Sequence, residues 1–313
     1  MKVLQTHRLP FDTKNFLGGY GIDVDIFENG ISYERFENLI GDYDGLLCLL
    51  SDRVDKNILD KGKNLKIVAN YAVGYDNIDV LYAKEKNIFV TNTPDVLTEA
   101  TADIAFALLL AVTRRIVEGD NLVRKGEFKG WKPDLLLGKD LFGKTLGIFG
   151  YGRIGKAVAR RAKSFGMKII FTDETVQEDG IGKKVSFERL IEESDFISIN
   201  VPLNDRTLYK FDIDVFKKMK NDVIIINTAR GKLIKEKDLV YALKNNIIKG
   251  AGLDVYENEP IVEEELLEMN NVVLLPHIGS ATEETREKMA MICARSIVEV
   301  LVEKRRPEKC VNF

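Results

Sequence analysis

The chain has 313 residues, 45% of them hydrophobic, a length and composition that favour two medium-sized domains, although one large domain also fits. The formal net charge is −3 at pH 7, and acidic and basic residues are interspersed, so no broad basic surface is available for nucleic acid. No apolar segment approaches the ~20 residues that a membrane span needs. The sequence therefore predicts a globular protein that binds neither nucleic acid nor a membrane.

The few cysteines and histidines limit the chemistry that the chain can perform. Cys48, Cys293 and Cys310 lie far apart without CxxC spacing, which argues against a disulfide framework and a zinc knuckle. With only His7 and His277, the chain cannot build a multi-histidine centre, and we expect no metal site. The N-terminal segment turns polar after a few residues and lacks the apolar core of a signal peptide. We therefore expect a cytoplasmic protein.

The first part of the chain alternates short strands with amphipathic helical stretches, as parallel sheets with helical crossovers do. A break follows at Thr93-Pro94, and a long helical pattern then runs from Thr98 to about Glu118. The predicted strands are Lys2–Thr6, Val24–Phe27, Leu46–Leu50, Lys66–Ala69 and Ile88–Thr91.

A connection containing glycine and proline, residues 126–143, leads to a second series of strands and helices. After this series, Ser280 and Glu283 form a capping-box pattern that opens a final helix of roughly 20 residues. The predicted strands of the second series are Thr145–Phe149, Lys168–Thr172, Phe196–Asn200, Val223–Asn227, Ala251–Asp254 and Val272–Leu275.

A buried strand of the second series runs directly into a GxGxxG turn at residues 150–155, and a helix with one apolar stripe follows. In such a unit Gly150 permits the tight turn, Gly152 lets the backbone approach a pyrophosphate, and Gly155 allows the helix to pack on its strand. The pyrophosphate would meet free N–H groups at the start of the helix. The alternative is a glycine-rich turn used only for packing, which the complete β-α-β unit makes much less favourable.

Asp173 follows the next strand, where a carboxylate accepts hydrogen bonds from the adenosine ribose hydroxyls. A carboxylate at this point repels the 2′-phosphate of NADP, and the nearby Thr175 and Lys183 supply little to bind that phosphate. The sequence therefore predicts NAD(H) as the cofactor in preference to NADP(H).

Polar residues of unusual kind follow several strands of the second series. Arg230 comes after one strand, Glu259 after another and His277 after a third. Because the carboxyl ends of parallel strands meet at one edge of a sheet, these three side chains can lie together beside the glycine turn. Taken singly, His277 would be an ordinary loop residue and Glu259 a solvated charge among the neighbouring glutamates.

These residues resemble the D-isomer-specific 2-hydroxyacid dehydrogenase family over nearly the whole chain and in the same order. Two further segments, residues 70–79 and 91–103, are most similar to the glyoxylate/hydroxypyruvate reductase branch. The motifs that carry the family resemblance are Gly150–Gly155 with Asp173, Asn227–Gly231, Asp254–Pro260 and Pro276–Ser280.

The chemistry of a 2-keto acid explains why three such side chains are needed. The planar guanidinium of Arg230 can bind the substrate carboxylate bidentately and polarise the adjacent carbonyl. Protonated His277 can donate a proton to the carbonyl oxygen as a hydride reaches C2, and neutral His277 is the base in the reverse direction. Glu259 would orient the imidazole and favour its protonated form.

The resemblance implies further site residues. Backbone N–H groups of Val73 and Gly74 would hold the substrate carboxylate, and Asp254 would meet the nicotinamide amide. Trp131, the single tryptophan, either packs the connection between the lobes or reaches the substrate pocket of a neighbouring subunit. The other residues expected at the cofactor are Arg153, Ile154, Val201, Pro202, Thr207, Thr228, Ala229 and Gly279.

The expected architecture is α/β, with two Rossmann-like or flavodoxin-like doubly wound parallel-sheet domains and a cleft between them. Residues 1–97 plus 281–313 would form the substrate domain, and residues 98–280 the NAD-binding domain. The resemblance also implies a homodimer and closure of the cleft before hydride transfer.

Several other functions compete with reduction of a small 2-keto acid to its D-2-hydroxy acid. Phosphite dehydrogenases carry a lysine where Val73 stands, and formate dehydrogenases share the fold. A D-3-phosphoglycerate dehydrogenase is the nearest alternative, although many such enzymes have an additional regulatory domain. A non-catalytic NAD(H)-sensing protein, similar to corepressors of this fold, is the alternative outside enzymes; the intact set of Arg230, Glu259 and His277 favours catalysis.

Overall fold

The computed structural model describes residues 1–313, and the chain divides into two compact units. The first unit comprises Met1–Leu97 and Ser280–Phe313, and the second comprises Thr98–Gly279. Each unit has its own parallel sheet and its own apolar core. None of the helices combines the length and the apolarity that crossing a lipid bilayer requires.

Strands and helices alternate along the chain, and two short 3-10 helices occur at Ile40–Asp42 and Gly231–Leu233. The strands are β1 (Lys2–Gln5), β2 (Asp23–Ile26), β3 (Gly45–Cys48), β4 (Ile67–Asn70), β5 (Phe89–Thr91), β6 (Thr145–Phe149), β7 (Lys168–Thr172), β8 (Lys183–Lys184), β9 (Phe196–Ile199), β10 (Ile224–Asn227), β11 (Gly250–Leu253) and β12 (Val272–Leu274). The helices are α1 (Thr13–Gly18), α2 (Tyr33–Leu39), α3 (Lys56–Lys61), α4 (Val80–Glu85), α5 (Thr98–Thr113), α6 (Ile116–Arg124), α7 (Arg153–Ser164), α8 (Phe187–Glu193), α9 (Ile213–Phe216), α10 (Glu236–Lys244), α11 (Glu264–Leu267) and α12 (Glu283–Leu301).

The sheet of the first unit has five parallel strands in the order β2-β1-β3-β4-β5, which is the flavodoxin-like doubly wound arrangement. Every residue of β3 and β4 is buried, because helices cover both faces of such a sheet. The long helix α12 belongs to this unit and is tied to it by the Tyr71 hydroxyl, which donates to the Arg286 carbonyl at 2.7 Å.

The sheet of the second unit has seven parallel strands in the order β12-β11-β10-β9-β6-β7-β8. This is the Rossmann arrangement, in which the strand order reverses between β6 and β9. Strands β9, β10 and β11 are completely buried, so the sheet can present functional groups only at its edges and at the ends of its strands. The predicted fold class is confirmed for both units.

Two local predictions were wrong, and one short strand was not predicted. The helix expected from Thr98 to about Glu118 ends at Thr113, because Arg115 adopts a left-handed conformation with φ of 52° and a new helix begins after it. The final helix begins at Glu283, and Thr282 rather than Ser280 caps it by accepting a hydrogen bond from the Thr285 N–H at 3.1 Å. The two-residue strand β8 was not predicted, since two lysines carry no strand signal.

Candidate active site

The glycine turn between β6 and α7 has a backbone that fits a dinucleotide phosphate. Gly150 has φ of 93°, and a Cβ there would lie 2.8 Å from the Asn200 carbonyl oxygen, so only glycine fits. A Cβ on Gly155 would lie 2.1 Å from the Gly150 carbonyl oxygen, so glycine lets α7 pack on the turn. At Gly152, in contrast, a Cβ would meet nothing within 4 Å, and no side chain caps α7 there. The turn therefore leaves open space beside Gly152 at the start of α7, where a phosphate can approach the backbone, as a phosphate site requires.

Asp173 lies directly after β7, and backbone N–H groups of the same region hold its carboxylate. One oxygen accepts from the Thr175 and Val176 N–H groups, both at 2.9 Å, and the other from the Tyr151 N–H at 2.8 Å. Burial raises the pKa of Asp173, but these hydrogen bonds outweigh it and leave the pKa below the ordinary value of 3.8. A negative charge therefore stands beside the turn at neutral pH.

The remaining residues expected at the cofactor follow other strands of the same sheet. Thr207 stabilises the loop after β9, because its hydroxyl donates to the Pro202 carbonyl at 2.7 Å. These residues lie at the carboxyl-terminal edge that also holds the glycine turn, as in other open parallel sheets that bind nucleotides. Arg153 and Ile154 begin α7, Val201 and Pro202 follow β9, Thr228 and Ala229 follow β10, and Gly279 follows β12.

His277 and Glu259 form a hydrogen-bonded pair at this edge. The Nδ1 atom of His277 lies 2.8 Å from Oε2 of Glu259, and the two side chains are 26% and 31% exposed. Since a carboxylate can only accept, Nδ1 carries the proton and Nε2 is the nitrogen left to exchange one. Burial raises the pKa of Glu259, but the His277 ring, the Tyr256 N–H and the Arg230 charge together lower it by more. The pKa is therefore below the ordinary value of 4.5, and Glu259 is ionised at neutral pH.

His277 has φ of 56°, a left-handed conformation that is uncommon for residues other than glycine. The next two residues explain how this turn is held. The carboxylate of Asp254, which is 1% exposed, accepts from the N–H groups of Ile278 and Gly279, both at 2.7 Å. Burial raises the pKa of Asp254, although the two N–H groups lower it. Asp254 therefore positions the His277 turn, a contact that sequence reasoning missed; its expected contact with the nicotinamide amide stays a prediction.

Arg230 lies in the segment after β10, and the preceding Asn227 fixes the shape of that segment. The Asn227 side chain donates to the Arg230 carbonyl at 2.8 Å and accepts from the Ala229 N–H at 3.1 Å. The Arg230 guanidinium donates to the Ala229 carbonyl at 2.8 Å. Arg230, Glu259 and His277 follow β10, β11 and β12, which are neighbouring parallel strands, so all three lie at the carboxyl-terminal edge of this sheet. The Arg230 charge also lowers the pKa of Glu259.

The other expected substrate residues lie in other parts of the chain. Val73 and Gly74 lie in the first unit, where their carbonyl groups accept from the side chains of Asn92 and Asn70, both at 2.8 Å, and their N–H groups have no acceptor within the chain. Trp131 lies in the second unit, and its side chain is 83% exposed. The roles of these three residues in substrate binding stay predictions.

The arrangement can bind an anion beside a proton donor, and it offers no metal centre. No group of three or more histidine, cysteine, aspartate or glutamate side chains is placed to hold a metal ion. A guanidinium, an imidazole backed by a carboxylate, and a phosphate-binding turn are the groups that reduction of a keto acid by a dinucleotide requires.

Comparisons with known proteins identify the family. The family model described as "D-isomer specific 2-hydroxyacid dehydrogenase, NAD binding domain" matches residues 106–279. The glyoxylate reductase of Thermococcus litoralis is 54% identical over 267 residues, which cover 83% of this chain and 81% of the relative. The glyoxylate reductase of Pyrococcus furiosus is 47% identical over 306 residues, 95% of this chain and 91% of that one.

Two solved structures show the same fold with different cofactors. The NADPH-dependent glyoxylate/hydroxypyruvate reductase of Sinorhizobium meliloti, in complex with NADP and malonate, aligns with a TM-score of 0.88 at 33% identity and covers 99% of this chain and 96% of its own. The D-lactate dehydrogenase of Aquifex aeolicus, complexed with NAD and lactic acid, has a TM-score of 0.87 at 27% identity, with 99% of each chain covered.

The fold, the glycine turn and these matches agree on one family and one class of reaction. The chain is an NAD(P)-dependent 2-keto acid reductase, an oxidoreductase of the class that acts on CH–OH donors. It belongs to the D-isomer specific 2-hydroxyacid dehydrogenase family, in the glyoxylate reductase branch.

Proposed function

We propose that the protein reduces glyoxylate, hydroxypyruvate or a 2-keto acid of similar size to the D-2-hydroxy acid, with NADH as the donor. The observation that carries this proposal is the 2.8 Å pair of His277 and Glu259, with Arg230 close enough to lower the pKa of that glutamate. The substrate class is supported by the names of the two archaeal relatives, both glyoxylate reductases.

His277 acts as the general acid in this proposal. Its Nδ1 atom is committed to Glu259, so Nε2 donates the proton to the carbonyl oxygen of the substrate. The bound nicotinamide supplies the hydride that reaches C2 of the substrate. The ionised Glu259 accepts the hydrogen bond from Nδ1 and fixes the plane of the imidazole ring, so Nε2 delivers the proton in one direction only.

Arg230 binds the carboxylate of the substrate and stabilises the charge that develops on the carbonyl oxygen. Its planar fork can hold two oxygens at once, which a lysine cannot do. The backbone that carries it is fixed by the two hydrogen bonds of Asn227, so little motion is needed before reaction.

The preference for NAD(H) over NADP(H) is also proposed, and it depends on Asp173. Its ionised carboxylate follows β7 beside the glycine turn, where it would meet the ribose hydroxyls and repel a 2′-phosphate. We expect Asp173→Asn to raise kcat/KM for NADPH relative to that for NADH by about tenfold, since one avoided charge contact of 1.4 kcal/mol has that effect. An unchanged ratio would contradict this assignment.

A homodimer is proposed on the basis of an exposed apolar surface in the second unit. None of the nine residues of α6 is buried, and the segment after it carries further exposed apolar side chains. Such a surface is expected to be covered by another protein surface, here a second copy. Light scattering after gel filtration measures the mass directly, and a monomer would contradict the proposal. The exposed apolar residues are Ile116, Val117, Val123, Phe128, Trp131, Leu135 and Leu137.

Trp131 would contribute to the substrate pocket of the partner subunit in this dimer. The variant Trp131→Ala is expected to raise KM for hydroxypyruvate while the dimer mass stays the same. Unchanged kinetics would leave Trp131 with a role in dimer packing only.

The experiment that tests the proposed function is the consumption of NADH, followed by absorbance, with a panel of 2-keto acids. We expect turnover with glyoxylate or hydroxypyruvate, and chiral analysis is expected to show the D product. Preferential turnover of 3-phosphohydroxypyruvate would instead indicate a phosphoglycerate dehydrogenase. Binding of NADH without turnover of any keto acid would indicate a dinucleotide-sensing protein.

A further inference from the structure

Two glutamates outside the proposed catalytic set bridge the segments that carry it. Glu236, the first residue of α10, is 3% exposed, and its Oε1 accepts a hydrogen bond from the N–H of Glu257 at 2.6 Å. In return, the N–H of Glu236 donates to Oε2 of Glu257 at 3.0 Å. Each glutamate therefore binds the backbone of the other with its side chain.

This reciprocal pair lies between the Arg230 segment and the Glu259 segment. Residues 231–235 lead directly from Arg230 to Glu236, and Glu257 precedes Glu259 by one intervening residue. A Cβ on Gly231 would lie 1.8 Å from the carbonyl carbon of Tyr256, so the two backbones are in direct contact. The glutamate pair is a second link between the same two segments.

A third segment joins the pair through Tyr209. Its hydroxyl donates to Oε1 of Glu257 at 2.7 Å, and its N–H donates to the Lys232 carbonyl at 2.8 Å. Tyr256, next to Glu257, donates from its hydroxyl to the Leu275 carbonyl at 2.8 Å, two residues before His277. The contacts around Glu257 thus reach the segments of all three proposed catalytic side chains.

We propose that Glu236 and Glu257 are positioning residues that set the distance between Arg230 and the Glu259–His277 pair. The proposal rests on the proposed function, since it concerns the same site. Neither glutamate touches the substrate in this role. Their effect is expected in kcat, because a shift of about 1 Å at a reacting group can lower a rate by up to a hundredfold. The glycine turn follows another strand, β6, so dinucleotide binding is expected to be unaffected.

The central experiment compares three variants in the NADH assay with glyoxylate. Glu257→Ala removes the carboxylate that binds Tyr209 and the Glu236 N–H, and we expect kcat per bound NADH to fall about tenfold, with KM for NADH within about twofold. Glu257→Gln is expected to restore most of kcat, because its amide oxygen can accept from the Glu236 N–H and its NH₂ group can donate to the Tyr209 oxygen. Glu236→Ala breaks the other half of the pair and is expected to match Glu257→Ala.

The matched control is Asp238→Ala on the same helix. Asp238 accepts a hydrogen bond from the Ile213 N–H at 3.1 Å, so its loss also removes a bond between a carboxylate and a backbone amide, but away from the Glu259 segment. We expect it to lower the melting temperature and leave kcat unchanged. An equal loss of kcat in Asp238→Ala, or full kcat in Glu257→Ala, would overturn the proposal.

A second measurement does not depend on turnover. The chain has only two histidines, so each ring C–H position gives two NMR signals, one from each histidine, and His7 in the first unit is an internal reference. We expect the His277 signal to move in Glu257→Ala, to return in Glu257→Gln and to stay in place in Asp238→Ala. A His277 signal that stays in place in Glu257→Ala overturns the positioning role. Wild-type protein that is inactive toward every keto acid refutes only the proposed function.

Discussion

In the β6–α7–β7 region, the groups that fit a dinucleotide lie within one continuous stretch, residues 150–173. The fit to the phosphates depends mainly on the shape of the backbone at the glycine turn. The catalytic region gathers Arg230, Glu259 and His277 from three separate segments and holds them with contacts between side chains and backbone. The first region therefore depends on glycines, which have no side chain, and on the single carboxylate of Asp173. The second can be disrupted at residues that never touch a substrate, such as Asp254.

The largest effect in the catalytic region is expected from His277→Asn. Asparagine tolerates the left-handed conformation that His277 adopts, so the change removes the imidazole with little added backbone strain. Loss of a general acid costs about 10²–10⁴ in rate, and we expect kcat for glyoxylate to fall about 10³-fold. Fluorescence titration is expected to show normal NADH binding. A loss of less than about tenfold would mean that another group donates the proton.

Asp254→Asn tests whether loss of a buried carboxylate that supports the His277 turn lowers the activity of the catalytic region. An asparagine offers one oxygen where the structure needs acceptors for both the Ile278 and the Gly279 N–H groups. The unmatched buried N–H is expected to cost about 1–3 kcal/mol of stability, and displacement of His277 to lower kcat about thirtyfold.

The affinity for NADH separates the two roles considered for Asp254. If its carboxylate acts only by holding the His277 turn, the Kd for NADH stays within about twofold of the wild-type value. A Kd raised by about tenfold or more would show that the carboxylate contacts the nicotinamide amide.

Gly152→Ala sharpens the comparison from the side of the glycine turn. An added methyl at Gly152 meets no protein atom within 4 Å, so we expect an unchanged melting temperature. The same methyl would occupy the space through which a pyrophosphate approaches the backbone, and we expect the Kd for NADH to rise about tenfold. Gly150→Ala is the matched contrast: its φ of 93° and its clash with Asn200 predict loss of stability as well as binding. A loss of stability in Gly152→Ala would contradict this distinction.

Much of both regions was predictable from sequence, because each depends on a pattern that the chain displays directly. Strands β6 and β7 were predicted to the residue, since their apolar runs are bounded by the glycine turn and by Asp173. Arg230, Glu259 and His277 could be placed together because parallel strands end at a common edge. The 2.8 Å distance between His277 and Glu259 could not be predicted, because it depends on contacts between distant parts of the chain.

Three features of the structure could not be predicted from the sequence, because they depend on contacts between distant parts of the chain. Glu257 looked like one more solvated charge among acidic neighbours, yet it binds Tyr209 and the start of α10. Tyr151 occupies a variable position of the glycine motif, yet it is fully buried and its ring stacks on Phe171 at 3.8 Å. The break between α5 and α6 at Arg115 contains no proline or glycine, so the local sequence contains no signal for a left-handed residue. In each case long-range packing overrides the local pattern.

The smallest effect is expected at Asp195, which ties the first strand of the dinucleotide region to the sheet. Its carboxylate accepts from the Thr145 N–H at 2.8 Å and pairs with Lys220 at 2.8 Å, and the two charged side chains are 21% and 37% exposed. Burial raises the pKa of Asp195, but Lys220 and the Thr145 N–H lower it more, to below the ordinary value of 3.8. The ionised form is therefore favoured by folding.

Because the folded pKa of Asp195 is depressed, its stabilising contribution is complete above the ordinary value of 3.8 and is lost as the pH falls through the lower folded value. We expect Asp195→Asn to reduce the free energy of unfolding by about 1 kcal/mol at pH 7, discounted for the partial exposure of Lys220. In denaturant titrations the difference in unfolding free energy between Asp195→Asn and wild type is expected to shrink as the pH falls below 3.8. The control is Glu174→Gln, whose pair with Arg206 is 77% and 80% exposed and is expected to contribute almost nothing. If the Asp195 difference persisted unchanged in acid, it would come from packing and not from the ionised carboxylate.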